Sequence, residues 1–314
     1  MSARVFVVGG ANLDLVARST GPLVPNASNP GTALERPGGV GRNVAENLAR
    51  LAVPVELIAA IGKDRAGDVL RDNAAATGIG LTHAVSTPLP TGRYAALLTH
   101  EGELALAVND MHATESLEPD AVRLALADLT PDDLVVLDAN VPPPVVSAVA
   151  CAVHEAGVRL IADPVSVAKG PRMWAALTPR PWMLTPNVAE LQALTGRPLT
   201  LRDIPAVAAP LIAEGVTHVW VKLGPTGSVL VTADGGGNPT AVALAAPVVE
   251  VADVTGAGDA LLAGFIRALL DGRAEGEAAA YGHVVSALTV ASDHTVRPDL
   301  TLDLVRRAAA GGTQ

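Results

Sequence analysis

Short runs rich in β-branched residues alternate along the chain with longer Ala/Leu-rich stretches of helical period. That alternation is what a mostly parallel sheet covered by helices produces. Strands are predicted at Val5 to Val8, Val55 to Ile61, Leu134 to Asp138, Val158 to Asp163, Trp182 to Thr185 and Val219 to Lys222. Helices are predicted at Val44 to Leu51, Pro144 to Ala156, Val188 to Thr195, Ile204 to Glu214, Ala257 to Leu270, Glu275 to Ser292 and Leu300 to Ala309. Two segments break the alternation. Leu13 to Arg36 carries Pro22, Pro25 and Pro30, and Thr91 to Met111 holds two alternating runs around Glu101-Gly102 that read as a hairpin. Each leaves the core just before a Gly-rich or polar cluster. The expected arrangement is therefore a small β lid, residues 13–36 and 91–111, over an α/β body of residues 1–12, 37–90 and 112–314.

Composition narrows the class. The 314 residues are 49% hydrophobic and 17% charged, enough to bury a large core and too apolar for intrinsic disorder. No apolar run approaches the roughly 18 residues of a membrane helix, so no membrane partner is expected. Met1 to Arg4 runs straight into the first strand without a leader pattern, which predicts a cytoplasmic chain. A net charge of −10 argues against a nucleic-acid partner, and it requires any anionic ligand to be held by local helix N-termini and a few cations. The single cysteine, Cys151, lies in an apolar helical pattern as a small core residue, and the seven histidines show no metal-ligand spacing.

Two Gly-rich turns precede helical runs. In Asp253-Val254-Thr255-Gly256-Ala257-Gly258-Asp259, three small residues leave the first helical N–H groups open, and these donors with the helix dipole suit a phosphate. Asp259, at that helix start, is expected to be ionised and able to accept a proton from an attacking hydroxyl; the alternative is a plain helix cap. The second turn, Pro37-Gly38-Gly39-Val40-Gly41-Arg42-Asn43, allows close backbone approach to a ligand or serves only as a tight β–α connection. Neither turn matches a P-loop, and no G-x-G-x-x-G follows the first strand. Asn12 and Asp14 follow that strand at its C-terminal end, where open α/β sheets bind ligands, and with Asn43 they could bridge vicinal sugar hydroxyls. Asn187 and Glu190 form either a capping box or, through Glu190, a carboxylate for a magnesium-bound water. Lys222-Leu223-Gly224-Pro225-Thr226-Gly227 offers a cation and two glycines to nucleotide phosphates, or is a hairpin turn.

Taken in order across nearly the whole chain, Asn12-x-Asp14, Gly38-Gly39 with Asn43, Asn187-x-x-Glu190, Gly224-x-x-Gly227 and Asp253-x-Thr255-Gly256-Ala257-Gly258-Asp259 resemble the PfkB-type, ribokinase-like carbohydrate kinases. The resemblance implies a three-layer α/β sandwich with a mostly parallel sheet and a β lid. It also implies ATP-dependent phosphorylation of a sugar or nucleoside hydroxyl, with a magnesium ion and room for a monovalent cation near Asp253. Asp259 matches the catalytic base, and Gly256, Ala257 and Gly258 match the anion hole. Thr255, Asn187, Lys222, Gly224 and Gly227 fall to the nucleotide and Glu190 to the metal. Val254 departs from the family signature, which usually has Thr there, and Lys222 stands where ribokinases often carry Thr or Ser. Within the family, Ser28-Asn29-Pro30-Gly31, Pro37 to Asn43, Val108-Asn109-Asp110-Met111, Asp163-Pro164-Val165-Ser166 and Pro298-Asp299-Leu300 look most like the pseudouridine-phosphorylating branch. That implies in-line attack of the pseudouridine 5′-hydroxyl on ATP, with Asn12, Asp14, Gly38, Gly39 and Asn43 on the ribose and Asn29, Asn109 or Asp110 on the base. Kinases for ribose, another nucleoside or a sugar acid, and a non-catalytic nucleoside sensor, are the competing readings. The adenine contacts around His283 stay open. Exposed lid edges predict a homodimer through the lid.

Overall fold

In the computed structural model, which describes residues 3–233 and 239–311, an eight-stranded sheet forms the middle of the molecule. Its strands lie in the order β14 (Pro239–Leu244), β13 (Ser228–Ala233), β12 (His218–Lys222), β11 (Met183–Leu184), β10 (Arg159–Asp163), β9 (Leu134–Asp138), β1 (Val5–Val8) and β4 (Val55–Ile58). All neighbours from β4 to β12 are parallel, and β13 and β14 add an antiparallel edge. Alternation along β1 explains the layering. Val5 and Val7 enter one apolar cluster, with α1 (Val40–Arg50), α2 (Arg65–Thr77), α9 (Ala257–Leu270), α10 (Glu275–Val290) and α11 (Leu302–Gly311). Phe6 and Val8 enter the other, with α4 (Pro119–Ala125), α5 (Pro143–Glu155), α6 (Gly170–Ala176), α7 (Val188–Thr195) and α8 (Ile204–Ala213). A short α3 (His112–Glu115) leads into α4. No helix among the described residues is long and apolar enough to cross a membrane.

The two interrupting segments supply a separate four-stranded sheet, in the order β3 (Gly31–Gly38), β2 (Asn12–Ser19), β7 (Gly92–Leu98) and β8 (Leu104–Asp110). Register fixes what each face carries, because paired residues point to the same side. One row runs Arg36, Asp14, Tyr94 and Asn109; the opposite face carries Leu15, Ala95 and Val108, then Ala17, Leu97 and Leu106. Leu106 and Val108 are 62% and 63% exposed, which leaves an uncovered apolar patch on that second face beside the charged Glu35, Arg93 and Asp110.

Several elements differ from the sequence reading, each for a local reason. The run from Val55 to Ile61 splits into β4 and β5 (Ala60–Gly62), and β5 leaves the main sheet to pair with β6 (Val85–Thr87). Helix α1 starts at Val40, inside the Gly-rich turn, so Arg42 and Asn43 belong to its first turn. Helix α2 escaped because its buried positions are few, Ala66, Gly67, Leu70 and Ala74 among polar residues; Asp64 caps it by accepting from the Gly67 N–H. The antiparallel strands β13 and β14 were also missed.

Candidate active site

The chain turns from one side of β1 to the other between β4 and β9, and ligands of open α/β sheets gather beyond the strand ends at such a switch. Polar residues collect there. Asn12 and Asp14 follow β1, Asp138 ends β9 and Asn140 follows it, Asp163 ends β10, Asn187 follows β11 and Lys222 ends β12.

Asp259 lies in the first turn of α9, whose N-cap Gly256 has a φ of 76°. A side chain at Gly256 would collide with the Thr295 carbonyl, so this turn demands glycine for both space and conformation. Among the described residues, the N–H groups of Gly258 and Asp259 have no protein acceptor; Ala257 N–H bonds Val254 O at 3.2 Å. The α9 start is thus open to an anion. Across from it, Asn43 Nδ2 donates to Asp259 Oδ2 at 2.8 Å. The amide orientation is set by Arg42, whose buried guanidinium donates to Asn43 Oδ1 and also pairs with Glu46.

The sequence reading made Asp259 a carboxylate at neutral pH, on the strength of the helix donors. Burial works against those donors. Burial raises its pKa to about 7; Asn43 and Lys222 pull it down, while the charges of Asp163 and Asp138 push it up. Asp14 is raised to about 6 by burial, with Arg42 and its Asn12 hydrogen bond acting against the shift. Lys222 donates to Asp163 Oδ2 at 2.8 Å; burial opposes its charge, but Asp163, Glu190 and Asp259 outweigh burial and hold it above the ordinary lysine value.

A cavity of about 480 Å³ opens on the other side of Gly258. Lys222, Gly224, Gly227, Ala257, Gly258 and His283 line it with a rim of valines that includes Val254. Trp220 Nε1 donates to Ser228 Oγ at 2.8 Å, and Ser228 Oγ lies 2.7 Å from His283 Nε2. An indole N–H only donates, so Ser228 Oγ is the acceptor there, and its own proton and second lone pair are left for the His283 ring. Burial lowers the His283 pKa and keeps the ring neutral. A second hollow of about 310 Å³ is lined by Arg36, Arg42, Glu46, Arg50 and His294, whose arginines are committed to Glu46 and to the carbonyls of Asp293 and Pro298.

Other expected residues are placed differently. Asn187 and Glu190 complete the capping box, with Glu190 N–H to Asn187 Oδ1 and Asn187 N–H to Glu190 Oε2, each 2.9 Å. Thr255 gives its hydroxyl to Asp253 Oδ1 at 2.7 Å, and neither it nor Asn187 lines the cavity beside Gly258. Gly38 and Gly39 lead from β3 into α1, beside Asp14 and Gly10. Asn109 shares a row with Asp14, whereas Asp110 points to the opposite face and binds His112 at 2.6 Å. Asn29 is spent inside its own loop, accepting from Val24 N at 2.8 Å and donating to Val24 O and Ala27 O, before β3 begins at Gly31, the end of that strand far from Gly38. Sequence reasoning missed Asp138, Asp163 as the partner of Lys222, and the contact of Lys169 with Asn140. Only the positions of Asp138 and Asp163 at strand ends could have flagged them.

A family model, "pfkB family carbohydrate kinase", matches residues 2–301. The chain is 29% identical over 301 residues to pseudouridine kinase from Escherichia coli, covering 95% of this chain and 94% of that one. A carbohydrate kinase from Agrobacterium tumefaciens superposes with a TM-score of 0.83 at 32% identity, covering 98% and 97% of the two chains. The ribokinase of Arabidopsis thaliana, solved with ribose and ATP, gives 0.82 at 26% identity over the whole of both chains. Fold, open α9 start and sequence agree: the chain belongs to the pfkB family of carbohydrate kinases, with the ribokinase-like fold and a sugar or nucleoside alcohol as phosphoryl acceptor.

Proposed function

We propose that the chain transfers the γ-phosphoryl group of ATP to the 5′-hydroxyl of pseudouridine, with Asp259 as general base. The observation that carries this reading is the place of Asp259. It accepts from Asn43 on the side of Asp14 and Asn12, while its neighbours Ala257 and Gly258 line the nucleotide cavity. A hydroxyl held by Asp14 and Asn43 would meet the base and the phosphoryl group at this one junction, and positioning of that kind dominates phosphoryl transfer. The free N–H groups of Gly258 and Asp259 would then take the charge that builds on the moving group. His283, which lines the cavity, would lie on the nucleobase side.

Magnesium fits in a limited way. No group of three or more His, Cys, Asp or Glu among the described residues could cage an ion, but Glu190, with one oxygen on the Asn187 N–H, suits a contact through a water of a hydrated ion. When bound, the ion would supply neutralisation of phosphate charge.

Pseudouridine is favoured by the 29% identical relative and by Asn109, an amide on the same sheet face as Tyr94 and Asp14. Its C-glycosidic base presents an N–H where uridine has a C–H. An acceptor left unpaired by uridine would cost about 1–3 kcal/mol, roughly five- to 150-fold in specificity. The test is kcat/KM for pseudouridine, uridine, adenosine and ribose under one set of ATP and magnesium concentrations. Equal values for pseudouridine and uridine, or a preference for ribose, overturn the substrate while leaving the kinase. The apolar outer face of the four-stranded sheet is read as a dimer contact between two copies. Val108→Asp is expected to give monomer by sedimentation where the parent gives dimer, and a monomeric parent at micromolar concentration refutes it.

A further inference from the structure

Asp138 lines neither cavity, yet it touches three of the segments that build the site. Its carboxylate is 1% exposed, and no Lys, Arg or His among the described residues pairs with it. Oδ2 accepts from Gly10 N at 2.9 Å and from Gly41 N at 2.8 Å, and Oδ1 accepts from Asn140 N at 2.8 Å. Gly10 opens the stretch that carries Asn12 and Asp14. Gly41 is the second residue of α1, the helix that presents Asn43 to Asp259. Asn140 accepts from Lys169. The packing around the carboxylate is close: a Cβ on Gly41 would come within 2.9 Å of Gly9 Cα and 3.2 Å of Asp138 Oδ2.

We propose that Asp138 is a positioning residue, an internal anion that gathers the backbone N–H groups of Gly10, Gly41 and Asn140 and so sets the distance from Asn12, Asp14 and Asn43 to Asp259 without touching substrate. Burial pushes the Asp138 pKa up, and the N–H groups of Gly10, Gly41 and Asn140, with the start of α1, work against that shift and favour the ionised form. Because each donor lies on a different segment, loss of the carboxylate releases all three together. The charge acts as well. Asp259 is faced by Asn43 and Arg42 from α1, Asp163 from β10, Lys222 from β12 and Asp138 from β9, and Asp138 is one of the two negative charges that raise it.

The role assumes the kinase reading, and three variants separate position from charge. Asp138→Asn removes the charge and turns an N–H₂ toward one of the donors. It is expected to cut kcat/KM for the acceptor by about 10- to 100-fold, the scale of an ångström-level misplacement, while the KM for ATP holds within twofold. The acid limb of kcat/KM should move to lower pH, since a negative charge near Asp259 is gone. Asp138→Glu keeps the charge but adds a methylene, so the acceptor KM should rise with the acid limb unmoved. Gly41→Ala presses on the same contact from the other side and should reproduce the Asp138→Glu pattern if the aspartate variants fold poorly. Amide hydrogen exchange gives a readout besides activity: in Asp138→Asn, Gly10, Gly41 and Asn140 should lose protection together while β9 and β10 keep theirs. Lower melting temperature with unchanged acceptor KM, acid limb and amide protection would make Asp138 merely structural and overturn the proposal. A parent enzyme inactive on every acceptor would sink the kinase reading instead, and the exchange pattern would still decide the role of Asp138.

Discussion

Helices α1 and α9 begin in the same way, with a glycine N-cap and no side chain of that residue to satisfy the first N–H groups. Their fates differ. At α1, Asp138 takes the Gly41 N–H, the Gly10 carbonyl takes that of Arg42, and the Gly39 carbonyl takes that of Asn43. At α9, Gly258 and Asp259 keep theirs. A Gly-rich turn before a helix therefore states only that donors exist; whether they bind an outside anion depends on what the rest of the chain delivers to them. Here the first turn is closed by an internal carboxylate and holds Asn43, and the second keeps its donors open to an outside anion.

The contrast can be broken at its most sensitive point by Asp259→Asn. Loss of the base is expected to lower kcat by about 10²- to 10⁴-fold with acceptor affinity within a few-fold, measured by steady-state kinetics and calorimetry. The parent should show an acid limb with a midpoint about 7, because the base works only when ionised and its folded-state pKa is raised to about 7. Activity is thus lost as pH falls through that value. A variant with near-parental turnover, or a limb near the ordinary aspartate range, would remove Asp259 from the chemistry.

A smaller effect is expected from making α9 resemble α1. Gly258→Asp places a carboxylate at the open start, and a Cβ there meets only Lys222 Nζ at 3.7 Å and Cδ at 3.9 Å, so the substitution fits. Competition for the free N–H groups and for Lys222 should reduce kcat/KM for ATP by about 10²-fold, the loss typical of one anion-hole donor, with the fold intact by circular dichroism. Undiminished ATP turnover would mean that the two helix starts do not differ in function.

The body of the fold was legible because parallel strands buried on both faces read as continuous apolar runs, as at Leu134 to Asp138 and Val219 to Lys222. Helix α9 was legible through its glycines and its period. What the sequence hid are relations set by the sheet. Asp138 and Asp163 look like the ends of two strands, and only their parallel register makes them neighbours that raise the pKa of Asp259. Strand alternation likewise divides Asn109 from Asp110, and the loop closed by Asn29 consumes an amide that reads from sequence as available. Helix α2 was lost because its neighbours in space, rather than its own few apolar positions, decide its place.

The hydrogen bond between Asn43 and Asp259 joins residues 216 apart in sequence, and the two that Asp138 accepts from Gly10 and Gly41 span 128 and 97. Closing such long loops costs entropy before any contact rewards it, so these bonds belong to the slow, late part of assembly. During synthesis the contacts of Gly10 and Gly41 wait for Asp138 to emerge, and Asp259 arrives only with α9. The cluster around Asp259 is therefore complete only when two distant halves of the chain have met.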